Sequence, residues 1–222
     1  MTAASRFVDL SHRIEPGMTT YPGLPGPVIS EHLSREDSVS RYAAGTTFSI
    51  ARVELVANTG TYVDSPFHRF AGTTDVAGLP LERLADVPGV VVDARAAGRA
   101  LGPDLFSDSE SLQGKAVLVR TGWDSLFGTP EYGVGHPFLT RAAAERLVGE
   151  GCALVGIDSL NIDDTADLAR PAHTGLLAAG IPIVEHLANL GAIPPGPFRF
   201  FAVPAPFARV GSFPVRAFAI AG

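Results

Sequence analysis

The segment Asn58–His68, which reads NTGTYVDSPFH, carries residue types that can do chemistry. Gly60 allows an unusual backbone angle or a close approach, and Pro66 stiffens the end of the segment. If the segment is extended, Asp64 and His68 project to the same face, because they are four residues apart. A carboxylate and an imidazole on one face can bind a metal or share a proton. The alternative is that Asp64 caps a turn and His68 is a surface histidine.

Several motifs follow one another along the chain, and their order is more informative than any single motif. Within the segment the pattern consists of Gly60, Thr61, Asp64, Pro66 and His68. Around it lie, in chain order, Asp9–His12, Tyr21–Gly23, Arg120–Trp123, Val155–Asp158, His173–Glu185 and Phe213–Arg216. This series resembles the cyclase-like metal-dependent hydrolases, a family that includes bacterial kynurenine formamidase and isatin hydrolase. The signature of that family reads His-x-Gly-Thr-His-x-Asp-x-Pro-x-His.

The resemblance implies roles for individual residues. In the family, the first two signature histidines and the aspartate hold one metal. In two-metal members, the aspartate, a downstream histidine and a glutamate twelve residues beyond it hold a second metal, and the last signature histidine is the general acid/base. Carried over, Asp64, His173 and Glu185 match metal ligands, with the expected separation 185 − 173 = 12, and His68 matches the acid/base. Tyr21 stands where the formamidases have an aromatic residue that contacts substrate.

Asn58 and Tyr62 stand where the family has its first two histidines. An Asn carbonyl is a weak ligand for zinc or manganese, and a Tyr phenol must first lose a proton with a pKa near 10. We therefore expect the first metal site to be lost or weakened, with Tyr62 as a catalytic residue and Asn58 as a substrate contact. The remaining imidazole and two carboxylates could hold one divalent metal, Zn²⁺ or Mn²⁺, or form a metal-free proton-transfer cluster. The residues alone do not separate these two cases.

Other polar residues near these motifs have ordinary structural interpretations. His186 follows Glu185, and strand alternation would turn its side chain to the opposite face. Three aspartates follow a predicted strand and are interpreted as turn or cap residues: Asp158, Asp163 and Asp164.

The rest of the chain predicts alternating strands and helices. Residues 15–28 are rich in Gly and Pro and predict an irregular loop. Phe48–Val56 partly alternates apolar and polar residues, as a half-buried strand does. Helices are predicted at Arg141–Glu150, between Thr140 and Gly151, and at His173–Ala179. Further strands are predicted at Val90–Val92, Ala116–Val119, Ala153–Ile157, Ile181–Val184 and Arg216–Ile220. We therefore expect an α/β protein with a mixed sheet and flanking helices. The resemblance implies a single domain over residues 1–222, of the swivelling β/β/α type.

Composition excludes several classes of protein. Of the 222 residues, 46% are hydrophobic and 18% are charged, against a typical charged share of about 25%, which argues against disorder. The net charge is −6 and Lys115 is the only lysine, so no basic surface for nucleic acid is expected. No apolar run approaches the roughly 20 residues of a membrane helix, and the start of the chain has no apolar signal core. Cys152, the single cysteine, excludes an internal disulfide. We expect a cytoplasmic protein.

Three functions are compatible with these residues. The first is a hydrolase that cleaves the C–N bond of a small linear or cyclic aromatic amide with metal-activated water, as in an arylformamidase. The second is a metal-independent cyclase, dehydratase or isomerase that transfers protons in the same pocket. The third is a relative that only binds a small ligand, which the joint presence of His68, Asp64, His173 and Glu185 disfavours. The resemblance also implies a homo-oligomer, most simply a dimer.

Overall fold

A computed structural model of the chain describes residues 6–107 and 111–222. Its helices are α1 (Arg35–Ser38), α2 (Arg141–Glu150) and α3 (Pro171–Ala178). Its strands are β1 (Arg6–Asp9), β2 (Val28–Leu33), β3 (Ile50–Glu54), β4 (Tyr62–Asp64), β5 (Val87–Asp93), β6 (Ala100–Leu101), β7 (Ala116–Arg120), β8 (Phe138–Leu139), β9 (Leu154–Ile157), β10 (Ile183–Glu185), β11 (Phe198–Phe201), β12 (Ser212–Pro214) and β13 (Phe218–Ala221). Short 3-10 turns join many of them.

A mixed sheet organises this part of the chain. Its nine strands run in the order β1-β13-β11-β5-β7-β9-β10-β4-β12. The central strands β5, β7, β9 and β10 are parallel, whereas β4 and β12 pair antiparallel at one end and β11, β13 and β1 at the other. The predicted α/β class with a mixed sheet is confirmed.

Alternation along the central strands divides the core into two layers. On β7, Val117 and Val119 belong to a core layer that contains residues of α2 and α3. Leu118, which points to the opposite face of the sheet, belongs to the second core layer. Parallel strands that are covered on both faces are apolar at nearly every position, and β9 is fully buried along its length. The helix-covered layer also contains Ile183, the first residue of β10, so the helices pack beside the start of that strand.

The best-predicted element is α2, which begins and ends at the predicted residues. The Thr140 side chain accepts a hydrogen bond from the Ala143 amide, and Gly151 ends the helix in the left-handed conformation. By contrast, α3 begins two residues before the predicted His173, and the last strand begins at Phe218 rather than Arg216.

The prediction of a half-buried strand at Phe48–Val56 is wrong about burial. A strand does form as β3, but every residue of it is exposed. The physical reason is that β3 pairs only with β2, as a two-stranded ribbon with no layer packed on either face in the described chain. Within this ribbon Ile29 lies opposite Val53, and the two residues are 44% and 55% exposed. None of the helices in the described ranges is long and apolar enough to cross a membrane.

Candidate metal centre and active site

Strands β4 and β10 bring two carboxylates together. Glu185 lies opposite Tyr62 in the antiparallel register, and Ile183 lies opposite Asp64. Side chains two residues apart share a face of a strand, so Tyr62, Asp64 and Glu185 project to the same side. Asp64 is fully buried and Glu185 is 1% exposed. Charged groups at such depth require partners, and the surrounding residues supply them.

His173 reaches the carboxylates from the first turn of α3. The Asp163 carboxylate accepts hydrogen bonds from the amides of Ala172 (2.6 Å) and His173 (3.0 Å) and lies 2.7 Å from Nδ1 of the His173 ring. This contact assigns the Nδ1 proton to Asp163. The ring then presents Nε2 to Asp64 Oδ2 and Glu185 Oε1, each 3.6 Å away. Asp163 is therefore a helix cap, as predicted, and also the residue that orients the His173 ring.

His68 meets Asp64 through Ser212 of β12. The Ser212 hydroxyl donates to Asp64 Oδ1, and its oxygen lies 2.9 Å from His68 Nδ1. Because the Ser212 hydroxyl proton is donated to Asp64, the Ser212 oxygen accepts a hydrogen bond from His68 Nδ1–H. The basic nitrogen of the His68 ring is then Nε2. The interpretation of Asn58–His68 as an extended segment is wrong beyond Asp64, where the chain turns into a 3-10 helix over Pro66–His68. His68 Nδ1 still lies 3.8 Å from Asp64 Oδ1, but the turn places it there.

Tyr62 donates a hydrogen bond to Glu185. The distance from its hydroxyl to Oε2 is 2.5 Å. Burial, together with the charges of Glu185 and Asp64, raises the pKa of Tyr62 well above 10. The phenol therefore stays neutral and does not supply an anionic ligand. Tyr62 occupies the position of a family histidine as a hydrogen-bond donor.

The charges of the cluster are balanced internally. Burial acts to lower the pKa of His173, but Glu185, Asp163 and Asp64 outweigh burial and raise it to about 10. Burial acts to raise the pKa of Asp64, but His68, His173 and Ser212 lower it below its ordinary value. Burial raises the pKa of Glu185 to about 7. The two carboxylates thus require a positive charge between them, which either a proton on His173 or a metal cation can provide.

The donor atoms fit a divalent cation. Asp64 Oδ2 is buried without a hydrogen-bond partner in the described chain. Asp64 Oδ2 faces Nε2 of His173, the ring nitrogen that does not contact Asp163. Glu185 Oε1 faces the same nitrogen and also accepts a hydrogen bond from the Ile162 amide at 2.6 Å. One imidazole and two carboxylates suit zinc or manganese. In the described chain, the group of ligand atoms that all lie within 4.8 Å of one another comes from Asp64, His68 and His173, so His68 belongs to the same group, whereas Glu185 approaches it through His173.

A cavity of about 300 Å³ opens onto these residues. Six of the seven predicted site residues line it; Asp64 lies behind them and is enclosed. The lining consists of Tyr21, Leu24, Asn58, Tyr62, His68, Arg69, Asn161, Arg170, His173 and Glu185. The side chains that were expected to act together therefore do converge, although their individual roles stay predictions.

Comparison with known proteins agrees with this geometry. A family profile described as a putative cyclase matches residues 8–164. The chain belongs to the cyclase family. It is 28% identical over 213 residues to the kynurenine formamidase of Salinibacter ruber, and the match covers 95% of each chain. The predicted family resemblance is confirmed.

Solved structures of this family share the fold. An isatin hydrolase bound to the product analogue thioisatinate superposes with a TM-score of 0.83 at 25% identity, covering 98% of this chain and 92% of that one. A predicted metal-dependent hydrolase from Bacillus stearothermophilus superposes with a TM-score of 0.78 at 25% identity, covering 98% of this chain and 99% of that one.

Sequence reasoning missed Ser212 altogether and recognised only half of the role of Asp163. Ser212 reaches Asp64 because β12 pairs with β4, a contact across 148 residues that no local pattern indicates. Asp163 precedes His173 by ten residues without a repeating spacing that would connect them. His186 was interpreted as structural because strand alternation would turn its side chain to the opposite face. Its positive φ of 55° breaks the alternation, and its buried ring accepts or donates a hydrogen bond with Tyr132 at 2.8 Å.

The contact between Asp163 and His173 generates a prediction about metal affinity. Asp163→Asn retains an oxygen for the helix amides but removes the charged acceptor that orients the imidazole. We expect Zn²⁺ or Mn²⁺, titrated separately by calorimetry, to bind about 10–100-fold more weakly than to the wild type. Asp167→Asn is the matched control, because the Asp167 carboxylate accepts a hydrogen bond from the Ala169 amide in a surface turn. Unchanged affinity in a folded Asp163→Asn protein would contradict the orienting role.

Proposed function

We propose that this protein is an amide hydrolase of the arylformamidase type, which cleaves the C–N bond of a small aromatic amide. The observation that carries the proposal is the convergence of a buried imidazole–dicarboxylate cluster and a second, accessible imidazole at one cavity. The similarity to kynurenine formamidase over 95% of the chain supports the same reaction class. A linear or a cyclic amide would both be compatible with it.

Asp64, His173 and Glu185 would hold one divalent cation. When bound, such a cation supplies Lewis-acid chemistry, polarising a carbonyl oxygen and lowering the pKa of a water molecule toward 7. The protein contributes by fixing the three donors: β4 and β10 position the carboxylates, and Asp163 orients the imidazole. Tyr62 and the Ile162 amide each donate to Glu185, which keeps that carboxylate in place.

His68 is the general base and then the general acid. Its Nδ1–H is held by Ser212, so Nε2 takes a proton from the attacking water. The water oxygen bonds to the carbonyl carbon, the C–N bond breaks, and His68 returns the proton to the leaving nitrogen. His68 is 37% exposed at the side chain, which suits a group that must reach both substrate and water. Tyr21 and Leu24 offer an apolar wall for an aromatic ring, and Asn58 offers a polar contact.

Replacement of His68 tests the hydrolase proposal. In His68→Gln the side chain can still form a hydrogen bond but cannot carry the proton, so kcat for formanilide should fall by about 10²–10⁴-fold. Stopped assays of aniline release measure this loss. His32→Gln, at an exposed histidine of β2, should keep wild-type kcat. A His68→Gln enzyme with full activity would refute the assigned role.

The alternative reaction class, metal-independent proton transfer, depends on Tyr62, whose hydroxyl lies against Glu185. If Tyr62 were an acid, Tyr62→Phe should cost roughly 10²-fold or more in rate. We expect a loss of less than about tenfold, because a phenol with a raised pKa that already donates to Glu185 serves to hold the carboxylate. Initial rates on formanilide distinguish the two results, and a loss of 10²-fold or more would favour the proton-transfer mechanism.

A homodimer, a single domain over residues 1–222 and a cytoplasmic location complete the proposal. The dimer is supported by the exposed ribbon β2–β3, in which Val28, Ile29, Ile50 and Val53 are 44–56% exposed. A two-stranded ribbon with apolar side chains is marginally stable alone and gains stability by packing on another layer. The location is supported by Cys152, which is a buried free thiol.

The double variant Ile29→Thr, Val53→Thr tests the dimer. Threonine keeps the strand propensity of the ribbon while removing the apolar pair. Sedimentation equilibrium should give a dimer for the wild type and a dissociation constant at least about tenfold higher for the variant. Leu81→Thr, an equally exposed apolar residue outside the ribbon, should dimerise normally. A monomeric wild-type protein at micromolar concentration would contradict the proposal.

A further inference from the structure

Two arginines flank the catalytic cluster in the wall of the cavity. Arg69 directly follows His68 in the sequence, and Arg170 precedes the first turn of α3, which carries His173. Both line the same cavity as His68 and His173. Two arginines therefore share one cavity wall with the imidazoles of the candidate site.

Neither guanidinium is neutralised by a carboxylate within 4.0 Å in the described ranges. Arg69 Nε donates to the Thr174 hydroxyl at 3.3 Å, and Arg170 donates to the backbone carbonyl of Asp164 at 3.1 Å. The Asp164 carboxylate is directed instead to Arg99, at 2.7 Å. Arginines away from the cavity do form ion pairs, for example Arg95 with Asp93, Arg199 with Asp86 and Arg216 with Asp9. The cavity thus holds two guanidinium groups that form no ion pair within 4.0 Å in the described part of the chain.

The backbone at Arg170 is in a conformation that favours glycine. Its φ of 47° and ψ of 61° place it in the left-handed region, immediately before Pro171. The Thr174 amide donates to its carbonyl at 2.9 Å and thereby holds it at the start of α3. A long, cationic side chain is therefore held beside the cavity at a position where glycine would be relaxed.

Guanidinium groups recognise planar anions by paired N–H donors, and a carboxylate matches this geometry. The cavity is small and also offers Tyr21 and Leu24 as an apolar wall. We infer that Arg69 and Arg170 form a subsite for a carboxylate on the substrate, so that the preferred amide is an aromatic anion. This inference rests on the proposed function, because it names the class of amide that the same site takes.

Paired substrates test the subsite. The probes are 3-formamidobenzoate, which is anionic, and 3-formamidobenzamide, its neutral isostere. For the wild type we expect the KM of the anion to be at least tenfold lower than that of the neutral amide. In Arg69→Gln, Arg170→Gln this preference should fall toward one, and in Arg69→Lys, Arg170→Lys it should be retained in part, because lysine keeps the charge but not the paired donors.

The control is Arg141→Gln, which removes one guanidinium charge from the exposed start of α2, outside the cavity lining. It should leave both KM values at the wild-type level. A wild-type enzyme without preference for the anion, or a preference that survives in the double Gln variant, would overturn the inference.

A binding measurement separates failure of the subsite from failure of the proposed reaction. If neither amide is hydrolysed, the proposed function is wrong, but calorimetric titration of the same enzyme with 3-formamidobenzoate still reports on the arginines. Binding at least tenfold weaker in the double Gln variant than in Arg141→Gln supports the subsite. Equal binding in the two variants overturns it.

Discussion

Two carboxylates buried side by side, Asp64 and Glu185, are the constraint on which the rest of the site depends. They lie on adjacent antiparallel strands and share one face. An unpaired charge at that depth costs several kcal/mol, so the fold must surround the pair with donors and positive charge. It does so from four separate parts of the chain: Ser212 donates to Asp64, Tyr62 and the Ile162 amide donate to Glu185, and His173 faces both. The active site is the arrangement that satisfies this requirement.

The need to surround two buried carboxylates with hydrogen-bond donors also accounts for the departure from the family signature at Tyr62. A histidine at position 62 would add a metal ligand, whereas Tyr62 adds a hydrogen bond to Glu185 and remains protonated. In the proposed function, the remaining donors, Asp64, His173 and Glu185, would hold one cation. His68, whose Nδ1 contacts Ser212, is the proposed base beside it.

The sequence predicted those features that depend on local chemistry. Thr140 and Gly151 define α2 because capping is a property of a few neighbouring residues. The roles of Ser212 and of Asp163 toward the His173 ring depend on strand pairing and on the path of a loop, which local patterns do not encode. The wrong prediction of burial for β3 has a related origin. Alternation of apolar and polar residues indicates which side chains are suited to packing, but it does not indicate the layer on which they pack. The convergence of His68 and His173 was predictable only through the family resemblance, since 105 residues separate them.

The central claim is that one cation, held by Asp64, His173 and Glu185, supports amide hydrolysis. The most direct measurement is reactivation of chelator-stripped enzyme by stepwise addition of Zn²⁺ or Mn²⁺, with metal content and formanilide hydrolysis followed on the same samples. The structure predicts negligible activity without metal and a linear rise that ends at one equivalent per chain. Full activity in the stripped enzyme, or a rise that ends only at two equivalents, would contradict it.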